Sequence, residues 1–137
     1  MTLFVDTSAF YAAADAGDSS HARARDILAV GEALLTTDHV LVETWLLLRS
    51  RGGRTAAQRF WGALRGGLAT IETVLPGDLD RAWQIAEAFA DQDFSIVDRT
   101  SFAVMERLGL TAAASFDDDF AIYRYGPRRD RAFEVRR

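Results

Sequence analysis

The chain opens with "TLFVD", a short apolar run closed by Asp6, and from there strand-like and helix-like segments alternate to the end. "TLFVD" reads as a buried strand. "TSAFYAAADAGD" follows as an alanine-rich helix with Thr7 or Ser8 placed to cap it, and "SSHARARDILAVG" as a second helix stopped at Gly31. "EALLTT" predicts a strand. Asp38 is placed to cap "HVLVETWLLLRSRGG", and "RTAAQRFWGALRGG" repeats the pattern of helix then glycines. "LATIETVLPG" predicts a strand ending at Pro76 and Gly77, and Asp78 is placed to cap "DLDRAWQIAEAFADQ", with Leu79, Trp83, Ala86 and Phe89 or Ala90 on one face. "FSIVD" reads as loop or extended chain, "RTSFAVMERLG" as a helix, "TAAASFD" as a strand and "FEVRR" as a final one. Such alternation with short turns predicts an α/β fold, a central parallel sheet with helices on both faces. The length of 137 residues suits one domain, 1–137, with one core.

In an open parallel sheet, ligands bind beyond the carboxyl ends of the strands. Asp6 closes the first strand, and Asp117 closes "TAAASF". Asp117 belongs to "SFDDDF", three carboxylates in a row between phenylalanines. Each close pair costs about 0.7 kcal/mol in water, and more where water is scarce. On an extended chain, alternation sends Asp117 and Asp119 to one side and Asp118 to the other. Glu43 interrupts the apolar run "VLVETWLLL", and Asp98 ends "FSIV" before a helix. Taken singly, Glu43 suits an exposed helix face and Asp98 an N-cap.

Composition decides what such acids can do together. Cysteine and lysine are both absent, and there are two histidines, His21 and His39. Thiolate nucleophiles, cysteine-bound metals, Schiff-base lysines and P-loop lysines are thereby excluded. A convergent carboxylate set suits a hard divalent cation, Mg²⁺ or Mn²⁺, which takes oxygen ligands and draws phosphate towards acids that would otherwise repel it. Such an ion lowers the pKa of a bound water and neutralises charge on a leaving oxygen.

The order and spacing of these segments resemble the PIN-domain ribonucleases, and among them the VapC-like toxins of toxin–antitoxin pairs. "FVDTSAFYA" resembles the family's opening strand and first acid, at Asp6. "TTDHVLVETWLLLRSR" resembles the segment of the second, at Glu43. "FADQDFSIVDRTSFAVMERLG" carries the third, at Asp98, and "AAASFDDDF" the fourth, at Asp117, two residues after Ser115. The resemblance covers nearly the whole chain. It implies a PIN-like fold, Mg²⁺ or Mn²⁺ dependence, endonucleolytic cleavage of RNA, a cognate antitoxin that blocks the site, and a homodimer. Asp6, Asp98 and Asp117 are expected as metal ligands, with Glu43 and Asp119 as further candidates. Thr7, Ser8, Ser115, Asp91 and Arg99 are expected around them, holding a carboxylate or a phosphate, whereas Asp93 is expected in solvent.

Other classes fit less well. A haloacid-dehalogenase-like phosphatase needs a second acid two residues after the first, where this chain has Ser8, and a receiver domain needs a lysine. A PIN-like module that binds protein or RNA without catalysis, or a PIN nuclease for another nucleic acid, stays open. Trp45, Phe60 and Trp61 are read as core, with an interface as the alternative. Residues 124–137 hold six arginines against Asp130 and Glu134, a net +4, on a body of −8. Such a tail either contacts a polyanion or is solvated. No apolar run is long enough to span a membrane, and Asp6 breaks the first apolar stretch, so neither membrane nor signal peptide is expected and the expected location is cytoplasmic.

Overall fold

Five strands and seven helices make up the fold, in a computed structural model that describes residues 1–137. The strands are β1 (Thr2–Val5), β2 (Ala33–Thr37), β3 (Thr70–Glu72), β4 (Ala112–Ala114) and β5 (Glu134–Arg136). The helices are α1 (Thr7–Ala14), α2 (His21–Leu28), α3 (Asp38–Gly52), α4 (Arg54–Arg65), α5 (Pro76–Ala88), α6 (Ile96–Leu108) and α7 (Asp119–Ile122). The sheet runs β3-β2-β1-β4-β5, with every pair parallel. Parallel neighbours require crossovers, and the helices supply them, which puts them on both faces of the sheet.

β1 lies at the centre, so its side chains are covered from both sides: Leu3, Phe4 and Val5 are all fully buried. β4 beside it is Ala112–Ala114, also fully buried. Three alanines let the aromatic layer approach the sheet. Phe102 of α6 stacks on Tyr123 at 4.2 Å and meets Phe120 edge-on at 4.9 Å, and Phe120 lies against Phe4. Burying Phe120 contributes about 2–3 kcal/mol and fixes the turn that follows β4.

Several local expectations give way to capping chemistry. α3 is capped by the Thr37 hydroxyl accepting from the Val40 amide at 3.1 Å. Asp38 is the first helical residue and accepts instead from the Val74 amide at 3.0 Å. Pro76 and Gly77 do not close a strand; they open α5, where proline's fixed φ suits the first turn. Asp78 is not the cap but the third helical residue, accepting from the Leu75 amide at 2.8 Å. α6 begins at Ile96, so "FSIVD" is not extended. Ser95 and Asp98 form a reciprocal capping box, with Ser95 Oγ accepting from the Asp98 amide at 3.0 Å and Asp98 accepting from the Ser95 amide at 3.1 Å.

The buried face of α5 also differs from the expected one. Leu79 and Trp83 are exposed, whereas Asp78, Ala82 and Ile85 are buried. Arg107 of α6 explains the rotation: its Nε and Nη2 each reach Asp78 at 2.9 Å, turning that face of α5 towards α6. No helix is long and apolar enough to cross a membrane.

Candidate active site

β1 and β4 end side by side, and the helices that follow or face them bring the acids together. Asp6 leaves β1 with its amide donating to the Ala114 carbonyl of β4 at 3.0 Å. Its side chain is buried. Two hydroxyls converge on its Oδ2: Ser8 Oγ at 2.8 Å and Ser115 Oγ at 2.9 Å. Ser8 Oγ also accepts from the Phe116 amide at 2.9 Å, so α1 and the end of β4 are tied through one carboxylate. Neither Thr7 nor Ser8 caps α1. Thr7 Oγ1 is buried in the cleft wall without a hydrogen-bond partner.

Asp98, Asp117 and Asp119 each bring one carboxylate oxygen within 4.8 Å of the others. Asp98 is held by the capping box at the head of α6. Beyond β4 the chain does not stay extended: Asp118 is the N-cap of α7, and Asp117 Oδ1 accepts from the Asp119 amide at 3.0 Å. The turn therefore places Asp117 and Asp119 together, where strand alternation had been expected to do so. Asp118 points out and pairs with Arg137 at 2.8 Å.

A cleft of about 410 Å³ holds Asp6, Thr7, Ser8, Glu43, Asp98, Asp117 and Asp119, walled also by Leu47, Asp93 and Ser95. Glu43 enters it from α3. Asp93 is exposed, as expected, and lies on its rim. Asp91 and Arg99 lie outside the lining. Asp91 is exposed, and the Arg99 Nε donates to the Ser95 carbonyl at 3.3 Å, closing the first turn of α6. Ser95 and Leu47 are the cleft residues that sequence reasoning did not name. The Ser-x-x-Asp spacing of a capping box was the available signal for Ser95; Leu47, one apolar residue in an apolar run, carries none.

The electrostatics follow from burial without counter-charge. No arginine or histidine forms an ion pair with Asp6, Asp98, Asp117 or Asp119. Burial raises Asp6 to about 6 despite the Ser8 and Ser115 hydroxyls that favour its charged form. Burial, the hydrogen bond shared with Asp119 and the charge on Asp6 raise Asp98 to about 8. Asp119 is raised too, by burial first and by Asp117 and Asp118, while its bond to Asp98 pulls the other way. The set suits a hard divalent cation: every donor is a carboxylate oxygen, the repulsion is uncompensated, and a buried hydroxyl at Thr7 lacks a partner.

Comparison with known proteins agrees with this architecture. The model of the PIN-domain family matches residues 3–124. The chain is 37% identical over 120 residues, 87% of this chain and 92% of the relative, to the 23S rRNA-specific endonuclease VapC20 from two strains of Mycobacterium tuberculosis. The crystal structure of Mycobacterium tuberculosis VapC20, a Sarcin-Ricin loop cleaving toxin, matches with a TM-score of 0.82 at 37% identity, covering 87% of this chain and 92% of that one. The chain belongs to the PIN-domain family, in its VapC-like branch.

Proposed function

We propose that the protein is a divalent-metal-dependent endoribonuclease and the toxin of a toxin–antitoxin pair. The observation that carries this reading is the carboxylate cluster of Asp98, Asp117 and Asp119 in one cleft with Asp6 and Glu43, unneutralised by any basic side chain. Asp6, Asp98 and Asp117 would hold Mg²⁺ or Mn²⁺, with Asp119 as a fourth carboxylate. A bound cation supplies the charge that admits a phosphodiester, a more acidic water and neutralisation of the leaving oxygen.

The chain's own residues do the rest. Ser8 and Ser115 hold Asp6 Oδ2 and so fix the orientation of the carboxylate in the cleft. The capping box fixes the Asp98 carboxylate against α6. Glu43 reaches the cleft from a different helix, placed to accept the proton of the attacking water. Thr7 Oγ1, unpartnered in the wall, is placed to donate to a substrate phosphate oxygen.

The partners follow from the family and from α3. Val42 and Leu46 are exposed on its outer face, and Trp61 of α4 extends the same apolar groove beside half-buried Trp45. Phe60, by contrast, is core. Exposed aliphatics of this kind suit a protein partner, and we assign the protein a cognate antitoxin and a homodimeric state in the cytoplasm. The test is cleavage of RNA by the purified protein with Mn²⁺ or Mg²⁺, with chelator, and with Asp98→Asn. Metal-dependent internal cuts lost on chelation and in the variant are expected. Cleavage that survives both would remove the reading.

A further inference from the structure

Residues 44–71 contain five arginines, at 49, 51, 54, 59 and 65, and no acid. Outside this segment and residues 124–137, the chain carries five arginines against 18 acids. All five arginines of the segment are exposed, and none forms an ion pair. In the tail three of the six arginines, 128, 129 and 131, are likewise without an ion pair, and the other three are engaged. Arg136 pairs with Glu32 and Glu134, Arg137 with Asp118, and the Arg124 guanidinium donates to the carbonyls of Ala121, Ile122 and Tyr123. The largest block of positive charge outside ion pairs on this acidic protein is therefore the α3–α4 hairpin, five arginines against three, with Asp15 the acid near Arg51.

That charge is joined to the cleft by two helices that leave it together. Thr7 and Ser8 of α1 and Glu43 and Leu47 of α3 line the cleft. One turn beyond Thr7 is Tyr11, and one turn beyond Leu47 is Arg51; the Arg51 guanidinium sits over the Tyr11 ring at 5.1 Å. Tyr11 is itself held by donating to Asp15 at 2.7 Å. Arg51 is thus pre-oriented by stacking, which lowers the entropy lost when it grips an anion. Arg54 opens α4 just past Gly53, with no acid in that first turn. A cation there works against the helix dipole, which suits a charge kept for something outside the helix.

We propose that Arg51 and Arg54 form a second phosphate-binding position for RNA, on the strand whose scissile phosphate lies at the carboxylate cleft. The inference rests on the ribonuclease reading above and extends it to how substrate is held. Eight residues of helix separate Glu43 from Arg51, about 12 Å, so the second phosphate belongs to a nucleotide beyond those at the cleft. Guanidinium groups hold phosphate through paired N–H donors, and an acidic cleft gains most from a cationic hold just outside it.

The experiment is steady-state cleavage with Mn²⁺ by the wild type and the Arg51→Gln/Arg54→Gln variant, on an RNA of roughly twenty nucleotides and on a trinucleotide. KM for the long RNA should rise about tenfold with kcat within about twofold, and the dependence of log KM on log salt should flatten by about 1.4, or 0.7 per lost contact. The trinucleotide, too short to reach Arg51, should be cut equally well by both proteins, and Arg51→Lys should recover part of the loss. An unchanged KM on long RNA would overturn the proposal. So would an equal loss on the trinucleotide, or an equal effect from Arg128→Gln/Arg129→Gln, the same two charges removed elsewhere. Loss of binding to an acidic protein partner with RNA kinetics intact would likewise assign the patch to protein recognition. A wild type that cuts no RNA removes the ribonuclease reading and the proposal together; a cutting wild type with an indifferent variant removes the proposal alone.

Discussion

Ser115 donates its hydroxyl to Asp6 across 2.9 Å, joining the ends of two adjacent strands from positions 109 residues apart in the chain. The bond is buried, and it holds a carboxylate whose burial already disfavours its charge. Ser115→Ala should therefore destabilise the fold by about 1–2 kcal/mol and weaken Mn²⁺ binding by about tenfold to a hundredfold. Urea unfolding and metal titration measure the two effects separately. A variant with unaltered metal affinity would reduce Ser115 to a packing role.

Asp98→Asn keeps the shape of the capping box and removes a charge that burial and Asp6 both oppose. Cleavage should be lost, while metal-free stability above pH 8 should be equal to or greater than that of the wild type. Thermal unfolding and RNA cleavage, run on the same preparation, check both halves. A large fall in Tm would show that the carboxylate serves mainly the fold.

Metal-free stability should decline with rising pH. Asp6 and Asp98 titrate at about 6 and about 8 in the folded chain, above their ordinary 3.8. Between about pH 4 and pH 8 the folded state then binds more protons than the unfolded state, so ionisation lowers stability across this window. Saturating Mn²⁺ should reverse the slope, since it binds the charged form; at a hundredfold excess over Kd it adds about 2.7 kcal/mol. Melting curves at pH 5, 6.5 and 8, with and without Mn²⁺, read the sign directly. Metal-free stability that rises through the window would contradict the arrangement of charges.

Arg107 is the counter-ion of buried Asp78 and also bonds Glu72 at 3.1 Å. Burial pushes Asp78 up, but the Arg107 bonds and the Leu75 amide leave it below its ordinary value. Arg107→Gln should cost about 2–3 kcal/mol, less than the loss of a fully buried partner because the arginine is partly exposed. Chemical denaturation with unchanged RNA cleavage rates at low temperature would separate this role from the cleft.

The sheet was legible in the sequence because a buried parallel strand must be continuously apolar and must end where polarity resumes; "TLFVD" and "TAAASF" say both. Asp6, Glu43, Asp98 and Asp117 were legible as acids at strand ends or inside apolar runs, and the structure brings all four into one cleft. The grouping of Asp119 with Asp117 came from a turn, because Asp118 starts a helix where the sequence suggested extended chain. Helix starts were misplaced by up to three residues where serine or threonine took over capping, as at Ser95 and Thr37, or where proline opened the first turn, as at Pro76. The face of α5 was misjudged because hydrophobicity favoured Leu79 and Trp83, whereas the ion pair from Arg107 to Asp78 decides the rotation. A pair between residues 29 apart leaves no local pattern.

The order of the strands sets when the site can exist. β1 is made well before its neighbour β4, which begins only at Ala112, and Asp117 follows it. A nascent or prematurely terminated chain ending before that point has Asp6, Glu43 and Asp98 yet lacks the strand that would align them. Under the proposed activity, a product cut short before Asp117 is inert towards RNA, and cleavage begins only once β4 and the turn after it have been made.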